Sequence, residues 1–332
     1  LPIRPTPLGP GPVPSDGRHE WTGFVPTADM PHWSVPATGF AVNANNRPVG
    51  APWPWDSPRY DWAHDRARRI AQRLSGDASV TLGDMMSVQN DVVSLAADRH
   101  VRHLLECADS LAPVLPARSR AALDTLRAWD LVVRRDRVAP TLYRAWFGAL
   151  QRRLGTEGLP GLTLAALMDR APEVLAHSGP KGTSETPAVA AVASLATALD
   201  TLTARLGPDM GSWRYGRAHQ ARFKHLLSAL DPRTRWETPP IPMDGDNATP
   251  SVGPSRLPWS TEVGFGPVFR HVADLADSTQ SWGVIPPWNS AAFPPEGTLA
   301  LQTPWRRHGY VPFLLDRARI EQQAHDRTTL TP

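Results

Sequence analysis

Proline is the residue that most constrains what this chain can fold into. Thirty-six of its 332 residues are proline, about twice the usual share. Each one fixes φ and removes a backbone donor, so helix interiors and central strands exclude it. Most of the prolines crowd toward the two ends, and that distribution divides the sequence in three. Residues 1–59 and 231–332 read as ordered loops and short strands, and residues 60–230 read as mainly helix. Apolar residues make up 41%, enough for a sizeable core in one large or two ordinary domains.

Within the first part the best strand candidate is Gly39-Phe40-Ala41-Val42-Asn43-Ala44, leading into the polar turn Asn45-Asn46-Arg47-Pro48. In the middle part, Ala63, Ala67, Ile70, Ala71 and Leu74 recur at helical spacing over Asp61 to Ser75. Thr81 with Asp84 forms a capping-box pattern before the next helix. That helix is expected to carry Met85, Val88, Val92, Leu95 and Ala96 on one stripe. Helices are also expected around Arg118 to Trp129, Pro140 to Leu154 and Pro187 to Leu206, with a loop from Ser178 to Thr186. Arg235 to Pro254 lacks periodicity and reads as a long surface excursion.

The formal charge is only +3 although the pI is about 9.4. Arginines alternate with acids and no long run of like charge occurs, which argues against a nucleic-acid binder and for a solvated helical surface. Cys107 is the single cysteine, so no intrachain disulfide can form. No stretch of 18 apolar residues occurs, so no membrane-spanning helix is expected. The start Leu1-Pro2, without methionine or signal peptide, reads as a processed or truncated end.

Spacing alone yields no strong catalytic set. There is no phosphate-binding glycine loop, HExxH, paired CxxC or G-x-S-x-G elbow. His219 and His225 are six apart and do not share a helical face, so ordinary partly buried histidines are the better reading than metal ligands. Trp53-Pro54-Trp55 reads as a packed loop more readily than as the lining of an apolar pocket. Asn45 alone is good turn chemistry, and Arg66 alone is compatible with a surface ion pair. Gln89 falls in an apolar stripe, where a buried amide must be hydrogen-bonded, so it reads with Asp91 as structural.

The order of several segments says more. Gly39 to Pro48 resembles the strand–turn motif of the penicillin acylase family. His64-Asp65-Arg66-Ala67-Arg68-Arg69-Ile70 is similar to that family's helix with Asp-Arg and Arg-Ile, and Gln89-Asn90-Asp91-Val92-Val93-Ser94 to its "QxD..S" segment. Trp129-Asp130, Leu142 to Trp146, Trp213 to His219 with Phe223 to Leu227, and Gly245-Asp246 follow in order. Gly266-Pro267, Phe269-Arg270, Trp305, Gly309 to Pro312 and Asp316-Arg317 complete the pattern, and upstream Leu1 to Arg4 and Trp21 to Phe24 also match. The resemblance covers nearly the whole chain.

This resemblance implies an α+β fold: part of the αββα sandwich of an N-terminal-nucleophile hydrolase, with a large, mostly helical middle region. It implies an amidohydrolase for N-acylated small molecules such as penicillin, acyl homoserine lactones or lipopeptides. The attacking serine would head a large subunit and would come from sequence upstream of Leu1. Expected partners are the α-subunit and the N-terminal part of the β-subunit carrying that serine, and the expected place is the periplasm or the cell exterior. Asn45 matches the family's side-chain oxyanion donor, and Arg66 its active-site arginine. Asp56 lies near the place where some members carry a calcium ligand, but one acid does not define a site needing roughly six oxygens; no cofactor is otherwise expected. Residues 283–290 depart from the family's Gly-Gln-Ser-Gly and Ser-Pro-His-Tyr stretch. The alternative readings are a non-catalytic binding protein on the same scaffold and an unrelated helical interaction protein.

Overall fold

The structure is a computed structural model. It describes residues 1–3, 13–32, 34, 38–46, 64–76, 79–154, 186–224, 230–231, 237–255, 260–286 and 301–330. Its chain forms two interleaved units. Unit 1 comprises Leu1–Gly76, Ser94–Trp129 and Leu142–Asp200; unit 2 comprises Asp77–Val93, Asp130–Thr141 and Thr201–Pro332.

Helix α1 spans Asp65–Leu74, α2 Leu82–Gln89, α3 Leu95–Asp109, α4 Ala117–Arg127, α5 Ala139–Arg153 and α6 Pro187–Leu206. Short helices α7 (Tyr215–Ala218), α8 (Gln302–Arg306) and α9 (Arg317–Gln323) follow. In unit 1, strands β1 (Pro2–Ile3) and β2 (Gly23–Phe24) pair antiparallel, with Pro2 opposite Phe24. In unit 2, β3 (Gln220–Ala221) pairs with β4 (Ile241–Pro242). Strands β5 (Arg270–Val272), β6 (Trp282–Val284) and β7 (Val311–Pro312) form an antiparallel sheet in that order. Helices with short antiparallel strands make the chain α+β.

The core of unit 1 is helical. Val101, Leu104 and Ala108 of α3, Ala122, Leu123 and Leu126 of α4, and Leu142, Trp146 and Leu150 of α5 are buried at three- and four-residue steps. Leu195, Ala198 and Leu199 of α6 follow the same rule, and the Trp146 indole N–H donates to the Ala191 carbonyl at 3.0 Å. Helix α6 is long and apolar enough to cross a membrane by length and composition, with a mean hydropathy of 1.4 over its best window. Its buried leucine face marks it as a core helix. The threonines, Ser194 and Asp200 that interrupt it kept it below the 18-residue apolar test.

The capping box before α2 forms as the residues dictate. The Thr81 hydroxyl accepts from the Asp84 N–H at 3.2 Å, and the Asp84 carboxylate accepts from the Thr81 N–H at 2.9 Å. The expected continuous stripe from Met85 to Ala96 does not form, because the helix stops at Gln89 and restarts at Leu95. Two short polar side chains break it. The Asp91 carboxylate accepts from the Val93 N–H at 2.8 Å, and the Ser94 hydroxyl caps α3 by accepting from the Ala97 N–H at 3.2 Å. Val92 and Val93 between them lie beside residues 132 and 133 as a short bridge.

Gly39 to Ala44 belongs to no ladder among the described residues. The reason is again local. The Ala44 N–H donates to Asn46 Oδ1 and the Asn45 N–H to Asn43 Oδ1, both at 3.0 Å. Asparagine side chains thus take donors that a strand would offer to a neighbour. Among the described residues of the middle part the last helix is Tyr215–Ala218, and β3 begins soon after. Of the expected loop Ser178 to Thr186, only Thr186 lies within the described residues.

The segment read as a surface excursion is largely internal. Thr238, Asp244, Asp246, Thr249 and Ser251 are buried. Irregular backbone can be buried when its polar groups find partners, and here they do. The Asp246 N–H donates to Thr249 Oγ1 at 2.9 Å, and the Thr249 hydroxyl donates to the Ser251 carbonyl at 2.8 Å. The Tyr215 hydroxyl donates to the Gly245 carbonyl at 3.0 Å. Gly245 has φ +81°, and a Cβ there would sit 2.0 Å from the Ser251 carbonyl oxygen. Gly245→Ala is therefore expected to destabilise unit 2 by about 3 kcal/mol or more. Chemical denaturation monitored on Trp213 and Trp305 fluorescence checks this.

Candidate active site

The two residues singled out for chemistry meet in unit 1. Asn45 follows the buried Ala44 and is itself exposed, with φ 61°. That left-handed conformation is costly for most L-residues, and asparagine tolerates it best after glycine. Arg66 is the second residue of α1, and its Nη2 donates to Asn45 Oδ1 at 3.0 Å. Burial lowers the Arg66 pKa below the ordinary arginine value, yet a guanidinium remains charged at any working pH.

This contact settles which way the amide faces. A guanidinium has donors and no acceptor, so the Asn45 oxygen must face it. The Asn45 NH2 therefore points the other way, toward any oxygen that comes to rest there. The positive neighbour also polarises the amide and makes its N–H groups stronger donors. The pair is chemically a fixed, neutral hydrogen-bond donor backed by a cation.

Arg66 is positioned by its neighbour in sequence. Asp65 is buried at the first turn of α1, where the helix dipole favours an acid. Arg99 of α3 donates to its two oxygens at 2.7 and 2.9 Å and also to the Leu95 carbonyl. The N-cap His64 makes no side-chain cap, so this fork holds the start of α1. Arg99→Leu would leave a buried carboxylate without its fork. Its expected cost is about 2 kcal/mol, since the Arg99 side chain is 41% exposed and partly screened. In Asp65→Asn/Arg99→Leu, urea unfolding should show part of that loss recovered. Sequence inspection missed Arg99 because nothing local links it to a residue 34 positions earlier.

The other candidates separate. Asp56 and Trp53-Pro54-Trp55 lie outside the described residues. Among the described residues no group of three or more His, Cys, Asp or Glu is arranged to hold a metal ion. Gln89 is structural, as expected. Its Nε2 donates to the His271 carbonyl and its Oε1 accepts from the Tyr310 hydroxyl, both at 2.8 Å. His219 is fully buried, stacked 4.4 Å from the Tyr215 ring, with Nδ1 2.9 Å from Ser255 Oγ; His225 is outside the described residues. In unit 2, Asp244 receives His308 Nε2 at 2.9 Å and the Arg135 N–H at 2.6 Å. Burial pushes its carboxyl upward, but these partners outweigh burial and hold it below the ordinary range. Separation in sequence hid that pair as well.

The penicillin amidase family model matches residues 1–322. The chain belongs to the penicillin amidase family. It is 30% identical to penicillin acylase 2 proenzyme of Pseudomonas sp. (strain SE83), over all of this chain and 44% of that protein. It is 27% identical to the acyl-homoserine lactone acylase QuiP of Pseudomonas putida over 65% of the chain and 30% of the relative. The corresponding Pseudomonas aeruginosa protein is 24% identical over 96% of the chain and 42% of its own length. The chain thus spans less than half the length of these curated relatives. Its fold matches a thermostable penicillin G acylase from Alcaligenes faecalis, with a TM-score of 0.60 at 19% identity, over 100% of this chain and 64% of that one.

Proposed function

We propose that this chain carries the oxyanion-binding half of an acylase that cleaves the amide of an N-acylated small molecule. Penicillin-type β-lactams, acyl homoserine lactones and lipopeptides are the candidate substrates, and the family's named relatives favour the first two. The observation that carries the reading is the 3.0 Å contact of Arg66 with Asn45 Oδ1, which aims the Asn45 NH2 away from the cation. In this reading the chain contributes to an N-terminal-nucleophile αββα sandwich completed by further polypeptide.

The chemistry divides between that polypeptide and this chain. A serine hydroxyl supplied from outside these residues attacks the amide carbonyl, and the serine's own α-amine takes the proton. An α-amine has a pKa of about 8, nearer working pH than the roughly 10.4 of a lysine. The carbonyl oxygen becomes an oxyanion, and the Asn45 NH2 donates to it. Arg66 holds the Asn45 amide and adds positive potential. The proton then passes to the leaving nitrogen, the C–N bond breaks, and water releases the acyl group from the serine. The enzyme acts in the periplasm or outside the cell.

Amine release from a panel of N-acylated substrates tests this. The longer natural protein should hydrolyse at least one class, and purified residues 1–332 alone should hydrolyse none. Tight binding of acylated compounds with no turnover by the longer protein would favour a non-catalytic binding protein on the same scaffold.

A further inference from the structure

Arginine is unevenly distributed over unit 2. Residues 134–137 and 214–217 are laced together: the Gly216 N–H donates to the Arg135 carbonyl at 2.8 Å and the Tyr215 N–H to the Arg137 carbonyl at 2.7 Å. Arg135 Nη1 donates to the Arg306 carbonyl at 3.1 Å and so ties the end of α8 to the same place. Six exposed arginines result: Arg134, Arg137, Arg214, Arg217, Arg306 and Arg307. Among the described residues only Arg134 of the six has a carboxylate at ion-pair distance, Asp136 at 3.5 Å. The chain as a whole carries only +3, so this face departs sharply from the average surface.

Two of these guanidinium groups are already oriented. Arg214 Nη1 donates to the Asp136 carbonyl at 2.8 Å, and Arg217 Nη1 to the Ser212 carbonyl and hydroxyl at 3.0 and 3.1 Å. Arg217 Nη2 also donates to the Leu206 carbonyl at 3.4 Å. The acceptors are carbonyls and a hydroxyl rather than carboxylates, so these bonds do not neutralise either guanidinium. Among the described residues the face contains no lysine, and a planar guanidinium fork matches phosphate oxygens in pairs. We propose that this arginine face docks unit 2 on an anionic lipid bilayer, its guanidinium groups engaging headgroup phosphates.

One observation and one chemical argument favour lipid over single-stranded nucleic acid. The aromatic residues interleaved with these arginines, Trp213, Tyr215 and Trp305, are all buried, so none of the three offers a ring for bases to stack on. An acyl-bearing substrate also partitions into bilayers, which is where an acylase would meet it; this second point rests on the proposed function.

Sedimentation of the 332-residue chain with vesicles tests the proposal, and no turnover is involved, so its failure would leave the acylase reading standing. Binding is expected to mixed phosphatidylcholine–phosphatidylglycerol vesicles and not to phosphatidylcholine alone. It should fall steeply with added salt. Arg306→Glu/Arg307→Glu and Arg214→Gln/Arg217→Gln should each weaken it by at least about tenfold, with unchanged melting by circular dichroism. Salt and lipid dependence of the unsubstituted chain carry the test if a variant misfolds. Equal binding to neutral vesicles, no binding to either, or tighter binding to duplex DNA at the same salt would overturn it.

Discussion

On the proposed acylase reading, Asn45→Asp is expected to lower turnover by the longer protein by about 100- to 1000-fold, the usual cost of removing one oxyanion donor, and to leave the melting temperature unchanged or raised. The substitution is nearly isosteric and keeps a residue type that accepts the left-handed φ of 61°. It also keeps an oxygen for Arg66, now as an ion pair. What it removes is the NH2 that points away from the guanidinium, replacing a donor with a second negative oxygen. A purely structural Asn45 predicts the opposite pattern, little change in rate and any loss confined to stability. Asn45→Gly is the useful companion: it relaxes the backbone and removes the donor, so it should be slow for the same reason.

The second large effect is on stability in acid. His100 is buried in α3, stacked 4.6 Å from the Phe147 ring, with Nδ1 3.0 Å from the Tyr143 hydroxyl. Burial, then the neighbouring Arg99, push its pKa down from 6.5 to about 3, with Asp65 opposing and Arg144 and His103 adding to the fall. The unfolded chain therefore binds a proton that the folded chain refuses between about pH 6.5 and pH 3. Stability from the neutral ring is fully present above pH 6.5 and is lost as pH falls through that window. The slope is about 1.4 kcal/mol per pH unit, and the total over the whole window is on the order of 5 kcal/mol. His100→Gln can still bond the Tyr143 hydroxyl and cannot titrate. Urea unfolding from pH 7 to pH 4 should show a shallower decline for this variant, and parallel curves would refute the assignment.

Much of the helical part was legible in the sequence because its signals are local. The capping box at Thr81, the apolar spacing of α1 and the bounds of α6 each lie within a few residues of one another. Gln89 and Asp91 were readable as structural for the same reason, since a polar side chain in a buried stripe must be bonded. Failures came where short polar side chains compete with backbone pairing. Asp91 and Ser94 divide one expected helix into two, and Asn43 and Asn46 turn an expected strand into a turn. Aperiodicity over Arg235 to Pro254 suggests exposure, yet threonines, serines and aspartates of the described part, 237–254, are buried and hydrogen-bonded. At the candidate site, Asn45 and Arg66 emerged from the order of motifs, whereas Arg99, which fixes Asp65, required the fold.

The most direct test of the oxyanion assignment compares two affinities in the intact enzyme and its Asn45→Asp form. One is for a tetrahedral phosphonate analogue of the transition state, the other for the ground-state amide substrate. A donor that acts on the oxyanion should favour the first alone. The analogue's inhibition constant should rise by about 100-fold while the substrate's binding stays within a few-fold. Equal changes in both, or no change in either, would contradict it.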